Sequence, residues 1–221
     1  MPPVSHHFEV TKTARYFTLG PEITTNSRIL IALHGYGQLP QFFLRRFQPL
    51  ADLGWTIVAP EGFHRFYNEG TSGRVGASWM TKEDRLTDMV DYVRYLDALA
   101  AHLNLTNRKP ALLGFSQGVA TAARWASLGN VSFSRLIFWA GVFPPDLDWK
   151  DEIQPLISTP IDVALGNSDP FFDTQLLLDT SSLLETHGIP HRSHTFDGGH
   201  AVDSALLTQL LSEQAWAVGP A

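Results

Sequence analysis

The sequence predicts an α/β protein in which helices flank both faces of a mostly parallel central sheet. Three observations indicate this class: short apolar runs recur along the chain, helical segments lie between them, and glycine-containing loops follow several of the runs. Apolar runs without strict alternation of polar and apolar residues are typical of strands buried on both faces. Because runs and helical segments alternate, we expect parallel pairing within one domain that spans residues 1–221.

The pattern of apolar runs predicts an N-terminal pair of short strands and six further strands after it. Residues 8–19 are typical of a hairpin or a sheet edge. Apolar runs place five of these strands at residues 29–33, 56–59, 111–113, 136–139 and 161–165, and the sixth is expected at residues 192–196.

Three segments predict helices. In residues 85–103, apolar side chains recur every three or four positions, which gives the helix one apolar face. Residues 117–128 are rich in alanine, and residues 204–216 are amphipathic.

Residues 61–79 contain four scattered glycines and predict a long loop, of the kind that often covers a binding site.

Composition and charge argue against several function classes. The formal net charge is −6 and no block of Lys or Arg occurs, which argues against nucleic-acid binding and against docking on anionic membranes. The absence of cysteine excludes disulfides, thiolate zinc sites and a cysteine nucleophile. The N-terminus lacks a signal-peptide pattern, and the most apolar stretch, residues 136–143, is too short to span a bilayer. We therefore expect a cytoplasmic protein without membrane insertion.

The most informative motif is Gly114-Phe115-Ser116-Gln117-Gly118, which lies between a predicted strand and a predicted helix. A serine at such a tight turn projects its hydroxyl from the sheet edge, and small residues must flank it because the helix doubles back over the strand. Alone, the pattern also fits a glycine-rich turn with a capping serine. The strand before it, the helix after it and the partners described next favour Ser116 as a nucleophile.

A serine hydroxyl needs a base to accept its proton and a third group to hold that base. In hydrolases built on this turn, the chain order is serine, then Asp or Glu, then histidine, each in a loop after a strand. Asp169 follows the strand expected at residues 161–165 and is our candidate for the third group. It also fits an Asx turn, with Asp173 as the main competitor for the catalytic role and Asp197 ranked lower.

The candidate base is His200, in the loop after the last predicted strand and next to Gly198 and Gly199. This is the position that the order of serine, acid and histidine requires. The other histidines are interpreted as ordinary polar residues. His191 and His194 are spaced as metal ligands can be, but no third ligand is evident, so we expect no metal site.

Acyl transfer passes through an oxyanion, which backbone N–H groups must stabilise. One donor is the residue after the nucleophile, here Gln117. The second comes from the loop after an early strand, and Gly35-Tyr36-Gly37 follows the strand expected at residues 29–33. We choose the Tyr36 N–H as this donor, with an ordinary glycine turn as the alternative.

Five segments, in order across most of the chain, match the motifs of a known family. They are Leu33-His34-Gly35-Tyr36-Gly37, Gly114-Phe115-Ser116-Gln117-Gly118, Ala140-Gly141-Val142-Phe143-Pro144, Gly166-Asn167-Ser168-Asp169 and Gly198-Gly199-His200. The chain therefore resembles the phospholipase/carboxylesterase family of α/β-hydrolases, which includes acyl-protein thioesterases. The resemblance implies the α/β-hydrolase fold and hydrolysis of carboxylic esters or thioesters without a cofactor.

Two departures from the better-known thioesterases narrow the expected substrate. This chain has Gly35-Tyr36-Gly37-Gln38 where they have Gly-Leu-Gly-Asp, and Ser78-Trp79-Met80-Thr81 where they have Ser-Trp-Phe-Asp. We therefore expect a small-molecule ester or thioester as the partner, rather than a lipidated protein. Dienelactone hydrolases are a nearby alternative, but they usually use cysteine as nucleophile.

Four aromatic residues are candidates for lining an apolar acyl pocket. They are Trp79, Phe143, Phe171 and Phe172. Plain core packing explains each of them equally well.

The rival from another class of function is a ligand receptor that kept this fold and lost turnover. The sequence leaves monomer and homodimer both open.

Overall fold

The computed structural model describes residues 1–213. Its strands are β1 (Tyr16–Leu19), β2 (Arg28–Leu33), β3 (Trp55–Pro60), β4 (His64–Glu69), β5 (Ser72–Ser78), β6 (Ala111–Phe115), β7 (Arg135–Trp139), β8 (Ile161–Gly166) and β9 (His191–Phe196). Its helices are α1 (Pro40–Phe43), α2 (Gln48–Asp52), α3 (Arg85–His102), α4 (Gln117–Leu128), α5 (Gln154–Ile157), α6 (Thr174–Thr186) and α7 (Ser204–Ser212), with a 3₁₀ turn at Leu44–Phe47.

Seven of the strands form one mixed sheet in the order β1-β3-β2-β6-β7-β8-β9. β1 runs antiparallel to β3, and the other neighbouring pairs of this sheet are parallel. The predicted α/β architecture with a mostly parallel sheet is confirmed. Because the carboxyl ends of parallel strands meet at one edge, the loops that follow β2, β6, β8 and β9 open on the same side of the sheet.

The central strands supply the core. Every residue of β6, β7 and β8 is buried, and β2 is buried after its first residue. α4 packs on β2, β6 and β7, and α6 packs on β8 and β9. Burial on both faces explains why these strands read as continuous apolar runs rather than as alternating patterns.

The expected N-terminal pair of strands is wrong in its first half. Only β1 forms, and residues 1–15 have no regular secondary structure. The apolar side chains of this segment, Val4, Phe8 and Val10, are all exposed. The segment therefore has no buried face that would hold a strand in register against the sheet.

The long loop expected at residues 61–79 is in fact mostly an antiparallel hairpin of β4 and β5. Five of the six residues in β4 are exposed, so this strand lacks the apolar run that marks the central strands. Its turn contains Gly70, whose φ of 64° lies in the left-handed region that glycine adopts without strain. The hairpin stands apart from the main sheet as a two-stranded unit.

The predicted helices at residues 85–103 and 117–128 correspond to α3 and α4. The predicted helix at residues 204–216 corresponds to α7, which ends at Ser212; its last three residues lie outside the described part of the chain. α6 was not predicted, and Asp173 caps its N-terminus. Within residues 1–213, none of the helices combines the length and the apolar character needed to cross a membrane.

A buried ionic cluster ties together the strands that carry the candidate site. Asp162 on β8 accepts hydrogen bonds from Arg135 Nε on β7, at 2.5 Å, and from His194 Nε2 on β9, at 2.8 Å. Burial by itself would raise the pKa of Asp162, but the hydrogen bonds and positive charges of His194 and Arg135 lower it below its ordinary value. Arg135 also donates to the Leu210 carbonyl on α7. The cluster therefore fixes the strands that lead into the loops of Asp169 and His200.

Candidate active site

Ser116 lies at a sharp turn between β6 and α4. Its φ of 54° and ψ of −117° fall in a region that residues with a side chain rarely adopt. The Ser116 N–H donates to the Trp139 carbonyl at 2.9 Å, and the Val119 N–H donates to the Ser116 carbonyl at 3.0 Å. Such strain persists only where the surrounding structure imposes it, and it is concentrated at functional sites.

Three glycines make this turn sterically feasible. A Cβ on Gly118 would lie 2.3 Å from the Leu33 carbonyl oxygen, and a Cβ on Gly114 would lie 2.3 Å from the Gly118 carbonyl oxygen. A Cβ on Gly141 would lie 2.2 Å from the Ser116 carbonyl oxygen. Backbone segments from β2, β6 and the loop after β7 therefore meet around the turn without room for side chains.

A continuous chain of hydrogen bonds connects Ser116, His200 and Asp169. Ser116 Oγ lies 3.0 Å from His200 Nε2, and His200 Nδ1 lies 2.7 Å from Asp169 Oδ2. An ionised carboxylate can only accept, so Nδ1 carries the proton and Nε2 is free to accept from the serine hydroxyl. The Asp169 side chain is fully buried, and that of His200 is 17% exposed.

The other acidic candidates have different partners. Asp169 uses its second oxygen, Oδ1, to accept from the N–H groups of Phe171 and Phe172, so it forms the turn and contacts His200 at once. Asp173 instead accepts from the Gln175 N–H at the start of α6. Asp197 accepts from the Asn167 side-chain amide at 3.0 Å. Among these three acids, only Asp169 contacts His200.

The two backbone donors expected from the sequence are free. Within residues 1–213, neither the Tyr36 N–H nor the Gln117 N–H has a hydrogen-bond partner. The neighbouring donors are occupied, because Gly35 N–H donates to Gln38 Oε1 and Gly37 N–H donates to the Ala77 carbonyl. Gly35 packs close to Ser116, since a Cβ on Gly35 would lie 3.1 Å from the serine Cβ.

The side chain of Gln117 anchors the turn to the end of the hairpin, a contact that the sequence did not predict. Its Oε1 accepts from the Trp79 N–H at 3.1 Å, and its Nε2 donates to the Met80 carbonyl at 2.8 Å and to Ser78 Oγ at 3.0 Å. These contacts hold in place the side chain of the residue whose backbone N–H is one of the two expected donors.

His34 is a second residue that sequence reasoning missed, because a histidine beside a glycine loop reads as an ordinary polar residue. It is fully buried, and its Nε2 accepts from the Gly62 N–H at 3.0 Å. Its Nδ1 lies 2.8 Å from the Gly35 carbonyl, to which it donates as a neutral imidazole. Burial lowers the pKa of His34 to about 4. His34 thus holds the backbone that precedes Tyr36.

A cavity of about 810 Å³ opens beside His200, between the loop that carries Gly37 and the loop that carries His200. Its apolar lining includes Leu39, Phe42 and Phe115. This volume falls in the range of small-molecule sites.

The four aromatic residues predicted to line an acyl pocket lie elsewhere than this cavity. Trp79 and Phe143 belong to the core, with 1% and 3% of their surface exposed. Trp79 Nε1 donates to the His34 carbonyl at 2.9 Å, so its side chain holds the backbone at His34 in place. Phe171 and Phe172 line a smaller cleft of about 330 Å³ next to Asp169, and their rings lie 4.8 Å and 5.8 Å from the His200 ring.

The described residues contain no group of three or more His, Asp or Glu side chains arranged to hold a metal ion. His194 is bonded to Asp162, and His191 contacts the Ile189 carbonyl.

A protein-family model described as serine hydrolase (FSH1) matches residues 23–208, which is most of the chain. The chain belongs to the serine hydrolase (FSH1) family. It is therefore an enzyme of the serine hydrolase class, as the sequence predicted.

Solved structures share the fold of this serine hydrolase. A carboxylesterase from Mesorhizobium loti superposes with a TM-score of 0.71 at 19% identity, over 94% of this chain and 95% of that one. Esterase PE8 gives 0.68 at 22% identity, over 91% and 99% of the two chains. Acyl-protein thioesterase 2 from Zea mays gives 0.69 at 17% identity, over 92% and 100%. The predicted α/β-hydrolase fold is confirmed, and these neighbours agree with the resemblance noted in the sequence.

The buried His34 predicts a loss of stability in mild acid. The unfolded chain binds a proton near pH 6.5, whereas the native His34 binds one only near pH 4. Stability therefore falls as the pH drops through this window, by up to about 3 kcal/mol from this group. In urea unfolding measured from pH 7 to pH 4, we expect His34→Gln, which cannot titrate, to show a shallower decline than the wild type. Parallel declines in the two proteins would contradict the assignment.

Proposed function

We propose that this serine hydrolase cleaves carboxylic esters or thioesters of small molecules through an acyl-enzyme intermediate, with Ser116 as nucleophile, His200 as base and Asp169 as the group that holds the base. The observation that carries the proposal is the unbroken hydrogen-bond chain from Ser116 Oγ through His200 to Asp169. This chain provides what a weakly nucleophilic hydroxyl needs for activation.

The acylation step follows from the direction of these hydrogen bonds. As Ser116 Oγ attacks the substrate carbonyl carbon, its proton passes to His200 Nε2, and Asp169 stabilises the imidazolium that forms. The tetrahedral intermediate then expels the alcohol or thiol, which takes the proton from Nε2. Water then completes the cycle. His200 Nε2 accepts a proton from the water molecule as the water oxygen attacks the acyl carbon. The second tetrahedral intermediate releases the carboxylic acid, and Ser116 Oγ takes the proton back from Nε2.

The negative oxygen of the intermediate needs donors that are already in place. The N–H groups of Tyr36 and Gln117 are suited to bind this oxygen, because neither donates a hydrogen bond within the described residues. Donors fixed before the reaction cost no reorganisation, and each is worth on the order of 10²–10³ in rate in other hydrolases. The contacts of the Gln117 side chain and of His34 keep the two backbone segments rigid.

The rival function is a receptor that binds an ester without turning it over. A receptor of this kind would differ from the enzyme in one measurable property, because only the enzyme releases product. The complete set of hydrogen-bond partners around His200 favours turnover, because binding alone does not require a proton-accepting Nε2 within hydrogen-bond distance of a strained serine.

The direct test is hydrolysis of p-nitrophenyl esters from acetate to long acyl chains. We expect the wild type to release p-nitrophenol and Ser116→Ala to lose on the order of 10⁶-fold in kcat, because the attacking oxygen is gone. Ser132→Ala, an exposed serine distant from the turn in sequence, is the matched control and should keep wild-type activity. Absence of turnover on every ester by folded wild type would favour the receptor.

A comparison of Asp169→Asn with Asp173→Asn tests the choice of acid. Asn at position 169 cannot stabilise the imidazolium and favours the wrong tautomer of His200, so kcat should fall about 10⁴-fold. Asp173→Asn should leave kcat near the wild-type value, since asparagine caps a helix as well as aspartate does. An equal loss in both variants, or a loss only at position 173, would contradict the assignment.

A further inference from the structure

The cavity beside His200 has a charge character that the proposed chemistry does not explain. Three arginines, Arg45, Arg46 and Arg74, are among its lining residues, and no Asp or Glu is. The chain as a whole has 22 acidic and 16 basic residues, so a surplus of positive charge here runs against the overall balance. The cationic lining is a property of this cavity and not of the whole surface.

The three arginines lie on both walls of the cavity. Arg45 and Arg46 belong to the 3₁₀ turn Leu44–Phe47 that follows α1, and Arg74 belongs to β5 of the hairpin. The guanidinium of Arg45 lies 4.9 Å from the centre of the Phe42 ring, which orients it at the cavity wall. The Arg46 carbonyl accepts a hydrogen bond from Ser204 Oγ at 2.6 Å, which ties this turn to α7.

These arginines differ from most others in the protein because they have no carboxylate partner within residues 1–213. By contrast, six arginines elsewhere are ion-paired with Asp or Glu: Arg15, Arg65, Arg85, Arg94, Arg124 and Arg135. Like charges around one cavity repel one another, and an anion bound between them removes that cost. Arginine is also well suited to a carboxylate, because its planar fork can donate two parallel hydrogen bonds.

We infer that the preferred substrate is an ester that carries a second, free carboxylate, which binds among Arg45, Arg46 and Arg74 while the scissile ester lies at Ser116. This inference rests on the proposed function and specifies its substrate class. His200 and the three arginines line one cavity, so a molecule that fills it contacts both the base of the hydrogen-bond chain and the arginines. The apolar lining at Leu39, Phe42 and Phe115 accommodates the carbon chain between the two ends of the molecule.

The test compares anionic esters with their neutral methyl esters, which share the same scissile bond and carbon skeleton. One pair places the charge on the acyl side: mono-p-nitrophenyl glutarate and its methyl ester. The other places it on the alcohol side: 4-carboxyphenyl acetate and its methyl ester. The measured quantity is the kcat/KM of the anionic member of each pair divided by that of the neutral member. A substitution that changes the rate of both members equally leaves this ratio unchanged.

In at least one pair, we expect this ratio to fall on the order of tenfold in the triple variant Arg45→Gln, Arg46→Gln, Arg74→Gln, and about two- to fivefold in Arg74→Gln alone, since exposed charge pairs are individually weak. The neutral esters should be hydrolysed at nearly the wild-type rate, which also reports that the variants are folded. Arg94→Gln is the matched control, because it removes the same charge from an exposed pair with Glu9 outside the cavity. Its ratios should equal those of the wild type.

Salt gives a second readout. Because the arginines are exposed, raising NaCl from about 10 mM to about 500 mM should lower the wild-type ratio and leave that of the triple variant unchanged. Ratios that are the same in wild type and triple variant for both pairs, with the neutral esters still hydrolysed in a Ser116-dependent way, would overturn the inference and leave the proposed function intact. Loss of Ser116-dependent hydrolysis of every ester would instead mean that the proposed function had failed.

Discussion

Close approach of backbone to backbone around Ser116 is the constraint on which the rest of the site depends. The serine holds a positive φ because its N–H is bonded to β7 and its carbonyl faces Gly141, while α4 turns back directly over β6. Gly114 and Gly118 are needed because any Cβ would collide with a carbonyl oxygen. This packing leaves the Ser116 hydroxyl at the sheet edge, where the loops after β8 and β9 bring Asp169 and His200 to it.

Two further layers keep that edge rigid. The buried cluster of Asp162, Arg135 and His194 links β7, β8 and β9, and the last two of these strands lead into the loops of Asp169 and His200. Gln117 and His34 bond the turn and the Tyr36 loop to the residues that flank the hairpin. The free N–H groups are therefore held in fixed backbone, which is the condition for stabilising charge without reorganisation.

The sequence was informative where one residue type is sterically or chemically required. Continuous apolar runs located the central strands, and the spacing of Gly114, Ser116 and Gly118 located the turn, because both patterns follow directly from burial and close packing. It was uninformative where a role arises from tertiary contact. The hairpin lacks an apolar run, His34 resembles any loop histidine, and Trp79 and Phe143 looked the same as pocket or as core. Arg74 lies about thirty positions after Arg45 and Arg46 in the sequence, so only the fold brings it to the same cavity.

Covalent labelling with a fluorophosphonate, followed by intact mass and peptide mapping, tests the roles of Ser116 and His200 most directly. We expect one adduct, located on Ser116, with labelling abolished in Ser116→Ala and slowed on the order of 10³-fold in His200→Ala, because the hydroxyl then has no base. An adduct on another residue, or labelling of Ser116 at an unchanged rate without His200, would contradict these roles.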